Sequence, residues 1–250
     1  MNNHHRSASV RDAVALYEER HKATFNPKAA LIDMDGTLLD TMKGHTLAWH
    51  RLATELGIEA TRDEFYLYEG MTGAATINKL FRRAFNRDAT REEITELYAR
   101  KTGYFNELPK AGTIPGAATM IETLIRRGIK RVLVTGSGQL SNLERLDTDF
   151  PGGFAADMRI TAHNVSRGKP DPEPYLKAMA LAGTSPCESI VIENAPSGVE
   201  AGVRSGAFTV AVTTGPIPAE EMWKAGADMV FPTMTAFAEA LPDLLSNNRL

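Results

Sequence analysis

Short apolar runs alternate along this chain with longer stretches of helical periodicity. Runs at 29–34, 131–134, 189–192 and 208–212 are too short for helices and too uniformly apolar to leave one face in water, the pattern of strands covered on both sides. Each meets polar or small residues at its end: Asp33, Asp35 and Gly36 at the first, Thr135, Gly136 and Ser137 at the second, Glu193 and Asn194 at the third, Thr213 at the fourth. Between them lie helical patterns at 117–127, 173–182 and 197–205, stopped by Gly128, Gly183 and Gly206. The alternation predicts an α/β fold built on a doubly wound, Rossmann-like parallel sheet. Such a sheet collects ligands at the carboxyl ends of its strands, where a topological switch opens a crevice. The polar residues just named would gather there.

The stretch from 42 to 111 differs. It carries helical periodicity at 46–56, 75–85 and 91–108 with no strand pattern. Since the sheet pattern begins before it and resumes after Pro115 and Gly116, it reads as an inserted helical cap domain. The expected division is an N-terminal extension at 1–28, a core made of 29–41 and 112–250, and the cap at 42–111. Two crossings make a hinge, and a mobile lid excludes water during group transfer.

With 250 residues the chain is long enough for one large core and a smaller lobe. A hydrophobic share of 43%, a charged share of 24% and a formal charge of −3 leave no basic footprint for nucleic acid or an anionic membrane, so a bound anion needs a local site. No segment approaches the length of a membrane span, and the N-terminus lacks the apolar stretch of a signal peptide. The only cysteine, Cys187, can form no internal disulfide and reads as a small residue beside a helix. These features point to the cytoplasm. His4 and His5 belong to a polar tail and receive no role. The oligomeric state stays open and is compatible with a monomer.

Asp33-Met34-Asp35-Gly36-Thr37 sets two carboxylates two residues apart at a strand end, where extended backbone turns both to one side. One can be a nucleophile that forms an aspartyl phosphate while the other protonates the leaving alcohol. An acidic turn closed by Gly36 would account for either carboxylate alone, less well for both after a buried run. Thr135, Gly136 and Ser137 supply a hydroxyl and open backbone N–H groups, the materials of an anion nest or of a plain turn. Lys169, in Gly168-Lys169-Pro170-Asp171-Pro172, is presented from a stiffened turn and can neutralise phosphate charge, or lie in solvent. Glu193 and Asn194 offer hard oxygen ligands. With Asp33 and a backbone carbonyl they would make a magnesium site completed by phosphate and water, while Asn194 or Ser197 can also cap the following helix.

In this order DMDGT, VTG, KPDP and IENAPSG resemble the four motifs of the haloacid dehalogenase superfamily. The resemblance runs from residue 29 to the C-terminus and includes a helical cap inserted after the first motif. It implies Asp33 as nucleophile, Asp35 as general acid and base, Thr135, Gly136 and Lys169 as phosphate ligands, and Mg2+ held by Asp33, the Asp35 carbonyl, Glu193 and Asn194. More narrowly, Asp40-Thr41-Met42-Lys43-Gly44-His45 followed by Ala48-Trp49 looks like the cap start of the β-phosphoglucomutase and sugar-phosphate phosphatase branch. Lys101 falls where the mutases have a cap lysine that meets substrate, and Gly73 where they use an arginine to grip the distal phosphate. Asn194 stands where many relatives carry aspartate, which implies weaker magnesium binding and a gain on Asn194→Asp. His45 belongs either at the crevice mouth or in solvent, and Trp49 reads as packing of an amphipathic helix.

The expected activity is a magnesium-dependent phosphatase of small phosphomonoesters, sugar phosphates above all, working through an aspartyl phosphate. The alternative is a β-phosphoglucomutase that uses the same intermediate, against which the missing arginine at 73 argues. A dehalogenase would need no Asp35. A silent phosphate-binding module would be free to lose Asp33, Asp35 or Lys169, and all three are present. The expected partner is a small phosphorylated substrate, with no nucleic acid and no membrane.

Overall fold

The structure is a computed structural model that describes residues 9–138 and 140–246; His4 and His5 lie outside the described residues. Its six strands are β1 (Ala29–Ile32), β2 (Lys130–Val134), β3 (Arg159–Ile160), β4 (Ser189–Glu193), β5 (Phe208–Val212) and β6 (Met229–Phe231). They form one parallel sheet in the order β3-β2-β1-β4-β5-β6. The helices of the described residues are α1 (Val10–His21), α2 (Met42–Glu55), α3 (Arg62–Leu67), α4 (Gly73–Phe85), α5 (Arg91–Asn106), α6 (Ala117–Arg126), α7 (Leu140–Asp149), α8 (Glu173–Ala182), α9 (Pro196–Ser205), α10 (Ala219–Lys224) and α11 (Met234–Leu245).

The side-chain alternation of β1 shows how both faces are covered. Ala30 and Ile32 share a core with Met120 and Leu124 of α6 and Phe237 of α11, whereas Ala29 and Leu31 share one with Tyr175 and Ala178 of α8. Because β1 lies between β2 and β4, with the later strands leading away on either side, its carboxyl end is the topological switch point. The chain emerges there at Asp33.

Residues 10–21, within the expected N-terminal extension, are a helix whose Ala13 and Tyr17 are buried in the main core. Val10, Ala13, Val14 and Tyr17 form a stripe of helical spacing, Ser9 caps the first turn by accepting from Asp12 N–H, and the Tyr17 hydroxyl donates to Gly206 O at 2.7 Å.

Helices α2 to α5 gather around their own apolar cluster, which includes Trp49, Leu52, Phe65, Leu80 and Leu97. Thr61 with Glu64 and Thr90 with Glu93 form capping boxes at the starts of α3 and α5, each cap worth about 1 kcal/mol. The two strands of chain that join this lobe to the sheet run side by side. Asp40 N–H donates to Gly112 O (2.9 Å) and Ile114 N–H to Leu38 O (2.8 Å). Among the described residues no helix is long and apolar enough to cross a membrane.

Candidate active site

At the end of β1 the ladder extends one residue further, with Asp33 N–H donating to Ile192 O at 3.0 Å. The chain then turns at Gly36, whose φ of +85° suits glycine, and Gly36 N–H meets Leu39 O at 2.7 Å. Asp33 is buried, 4% exposed. Its Oδ1 accepts from Lys169 Nζ at 2.6 Å, and the Thr37 hydroxyl lies 3.2 Å from its Oδ2. Burial raises the Asp33 carboxyl and the neighbouring Glu193 adds to this, against the pull of Lys169. Asp35 lines the same cavity, but its Oδ1 turns to the hinge, accepting from the Thr41 hydroxyl at 2.6 Å and lying 3.2 Å from His45 Nε2. Burial would raise Asp35; His45, together with these hydrogen bonds, outweighs it and holds the carboxyl below its usual range.

Lys169 crosses from the turn before α8 to the same point. Besides Asp33 it donates to Val134 O (3.0 Å) and to Glu193 Oε1 (2.5 Å), so all three ammonium protons have partners. Burial pulls its charge down, but the two carboxylates outweigh that and raise it. Glu193 is fully engaged: Oε1 also accepts from the Tyr175 hydroxyl (2.6 Å), and Oε2 from the N–H groups of Asn194 (3.0 Å) and Ala195 (3.3 Å). At the end of β2, Thr135 N–H donates to Ile160 O (2.9 Å) and the Thr135 hydroxyl accepts from Ser137 N–H (3.0 Å). Gly136 lies beside them on the cavity wall.

The cap lobe closes over these strand ends. Lys101 of α5, 2% exposed, brings Nζ to 2.6 Å from His45 Nδ1 and stands over the rings of Trp49 (5.2 Å) and Phe105 (5.3 Å). A continuous chain of contacts, Lys101 to His45 to Asp35, therefore joins the lobe to the β1 turn. Burial lowers the Lys101 ammonium to about 7 and, with the adjacent Lys101 charge, holds His45 below its usual value. Of the two places open to His45, it occupies the crevice mouth, stacked on Phe105 with 4.2 Å between ring centroids. Trp49 packs in the lobe's core and also lines the cavity. Gly73, where an arginine would be needed to grip a second phosphate, is covered by Tyr98: a Cβ at 73 would overlap the Tyr98 ring.

All nine residues singled out from the sequence thus lie at or beside one site. The structure adds Glu69, Tyr98, Thr37 and Tyr175. Glu69, 5% exposed, accepts from Asn194 Nδ2 at 2.6 Å, and its main-chain oxygen accepts from the Ser197 hydroxyl. Burial raises the Glu69 carboxyl well above its usual value. A carboxylate directly before Gly70-Met71-Thr72-Gly73 was the available signal for it; Tyr175, six residues after Lys169, offered none.

The donor set suits magnesium. Asp33 and Asn194 present hard oxygens side by side, joined through the Thr37 hydroxyl, which lies 3.2 Å from Asn194 Oδ1 as well. Asp33, Glu69 and Glu193 are all buried, and Lys169 is the one cation hydrogen-bonded to any of them among the described residues, an imbalance that a divalent cation would offset. Among the described residues no three His, Cys, Asp or Glu side chains converge as a ready cage, so a cation would also depend on amide and main-chain oxygens.

A family model for haloacid dehalogenase-like hydrolases matches residues 27–206. The validoxylamine A 7'-phosphate phosphatase of Streptomyces hygroscopicus subsp. limoneus is 33% identical over 189 residues, 75% of this chain and 86% of that protein. Hexitol phosphatase A of Escherichia coli (strain K12) is 31% identical over 186 residues, 74% of this chain and 82% of that one. Among solved structures, a Bacteroides vulgatus protein provisionally named a β-phosphoglucomutase superposes with a TM-score of 0.91 at 42% identity, covering 96% of this chain and 100% of the other. The doubly wound sheet with its carboxylates at the switch point is thus that of an enzyme. The chain belongs to the haloacid dehalogenase-like hydrolase family.

Proposed function

We propose that this enzyme is a magnesium-dependent phosphatase of small phosphomonoesters, sugar phosphates above all. The observation that carries the reading is the Lys169 ammonium on Asp33 Oδ1 at the switch point, with Asp35 on the wall of the same cavity. An Asp33 oxygen attacks phosphorus, the ester P–O bond breaks, and the hydrogen-bonded Asp35–His45 pair delivers one proton, through Asp35, to the leaving oxygen. Water then attacks the phosphorus of the aspartyl phosphate, Asp35 takes the water proton, and the acyl-phosphate P–O bond breaks to return Asp33 and release inorganic phosphate. Lys169 neutralises charge at the nucleophile, and Thr135 and Gly136 bind phosphoryl oxygens. Mg2+, held by Asp33, the Asp35 main-chain oxygen and Asn194, would supply Lewis-acid neutralisation of the phosphoryl group when bound. Glu193, whose oxygens are engaged elsewhere, supports the site through Lys169. The names of the two phosphatase relatives agree with a phosphorylated, hydroxyl-rich substrate.

Mutase activity is the second reading, favoured by the 42% identity to the Bacteroides vulgatus protein. Against it stands Tyr98, whose ring fills the space a phosphate-gripping side chain at 73 would need. The test is a panel of sugar monophosphates with magnesium, including β-glucose 1-phosphate with catalytic glucose 1,6-bisphosphate, with glucose 6-phosphate and free phosphate followed together. Phosphate release should outpace isomerisation throughout, and Asp33→Asn should abolish both while leaving the fold intact. Rapid glucose 6-phosphate formation with negligible phosphate release would make the mutase reading correct.

A further inference from the structure

Asn194 brings a neutral amide to a position where an anionic ligand would serve a cation better, and the structure places a carboxylate directly behind it. Glu69 reaches in from the loop between α3 and α4, and its Oε1 lies 2.6 Å from Asn194 Nδ2. The amide NH2 donates to Glu69, so Oδ1 faces the opposite way. That way lies the Thr37 hydroxyl, 3.2 Å from both Asn194 Oδ1 and Asp33 Oδ2. The same residue is fixed a second time where the Ser197 hydroxyl donates to Glu69 O. The β1 turn leaves room for this pair, since a Cβ at Gly36 would strike both the Asn194 amide and the Glu69 carboxylate.

From this geometry we propose that Glu69 is a positioning residue that orients Asn194 from the cap. It aims the Asn194 amide oxygen at the Asp33 side of the site, so the cation is bound at full strength only while the loop bearing Glu69 is seated on the core. The inference rests on the metal-dependent reading above. It reverses the expectation for Asn194→Asp: an aspartate there would remove the N–H that Glu69 accepts from at 2.6 Å, leave the cation-facing oxygen unaimed, and bring no gain.

Binding of Mn2+ to the full chain, followed by calorimetry and by the electron paramagnetic resonance of the free ion, needs no turnover. Glu69→Gln should weaken Mn2+ binding about 10-fold or more, the usual effect of losing a partner that orients a ligand. Asn194→Asp alone should not tighten it. The double variant Glu69→Gln with Asn194→Asp, which exchanges amide and carboxylate between the two positions, should recover most of the loss, an outcome that general destabilisation by Glu69→Gln cannot produce. Unchanged Mn2+ affinity in Glu69→Gln, or a double variant no better than Glu69→Gln, would overturn the role of Glu69 and leave the phosphatase reading standing. A wild-type protein that binds no Mn2+ would overturn both.

Discussion

Lys101 occupies a costly place, 2% exposed in the lobe that faces the cavity. An ammonium buried under Trp49 and Phe105 loses its hydration, and burial lowers it from 10.5 to about 7. Between those two values the unfolded chain binds a proton at this site that the folded chain does not, so stability rises with pH across that window and the penalty is fully present below about 7. Lys101→Met should therefore raise thermal stability at pH 6 by about 1 kcal/mol or more, roughly 2–4 °C for a chain of this size. The gain should fade as pH approaches 10. Melting curves of both proteins from pH 6 to 10 check this; a gain that does not depend on pH would mean that the folded chain holds the Lys101 proton as firmly as the unfolded chain does and that burial does not lower this ammonium. Activity should fall in the same variant, because Lys101 faces the cavity and is linked through His45 to Asp35.

At the scale of elements, the segment from Glu69 to Gly73 decides how the lobe sits on the sheet. Gly70 has φ +79°, and a Cβ there would lie 3.1 Å from Lys169 Cδ and 3.1 Å from Ser197 Oγ. Gly70→Ala combines about 1–2 kcal/mol of left-handed strain with a tight approach to Lys169, so the loop should seat poorly. The expected result is a kcat/KM lower by roughly 10–100-fold, from misplacement near the reacting groups, with a melting temperature only a few degrees lower. Wild-type kinetics would show that the loop does not bear on the site. Residues 69–73 offer only a carboxylate before a glycine-rich turn, and nothing local points to Asn194, since the contact of Glu69 with Asn194 joins positions 125 apart. The motifs at the ends of β1, β2 and β4 were legible for the opposite reason. Each sits at the end of a strand buried on both faces, and a parallel sheet brings such ends together whatever the loops do. The strands that escaped notice, Arg159–Ile160 and Met229–Phe231, are two and three residues long, too short for any periodicity. The stripe of α1 was readable in principle, yet it lies among charged residues outside the familiar motifs.

For the whole molecule, the size of the cavity sets a requirement on motion. The space between Asp33, Asp35, Thr135, Lys101 and Tyr98 is about 60 Å³, room for about four to six water molecules, and a hexose phosphate is larger than that. Admission of the proposed substrate would then call for the lobe to swing away. The paired crossings at Asp40–Gly112 and Leu38–Ile114 offer a hinge, and the Glu69–Asn194 and His45–Asp35 contacts would break on opening. Few polar contacts hold the lobe shut, and each exchanges readily for water, so the protein without substrate should spend much of its time open. Opening should appear as a larger radius of gyration in solution than the compact value of about 18 Å expected for 250 residues. Magnesium with orthovanadate, which mimics the phosphoryl group at Asp33, should draw it back toward that value, and small-angle scattering with and without the analogue measures the difference. A free protein already at the compact radius and unaffected by orthovanadate, yet turning over sugar phosphates briskly, would mean that substrate enters by another route and that the cap does not move as a lid.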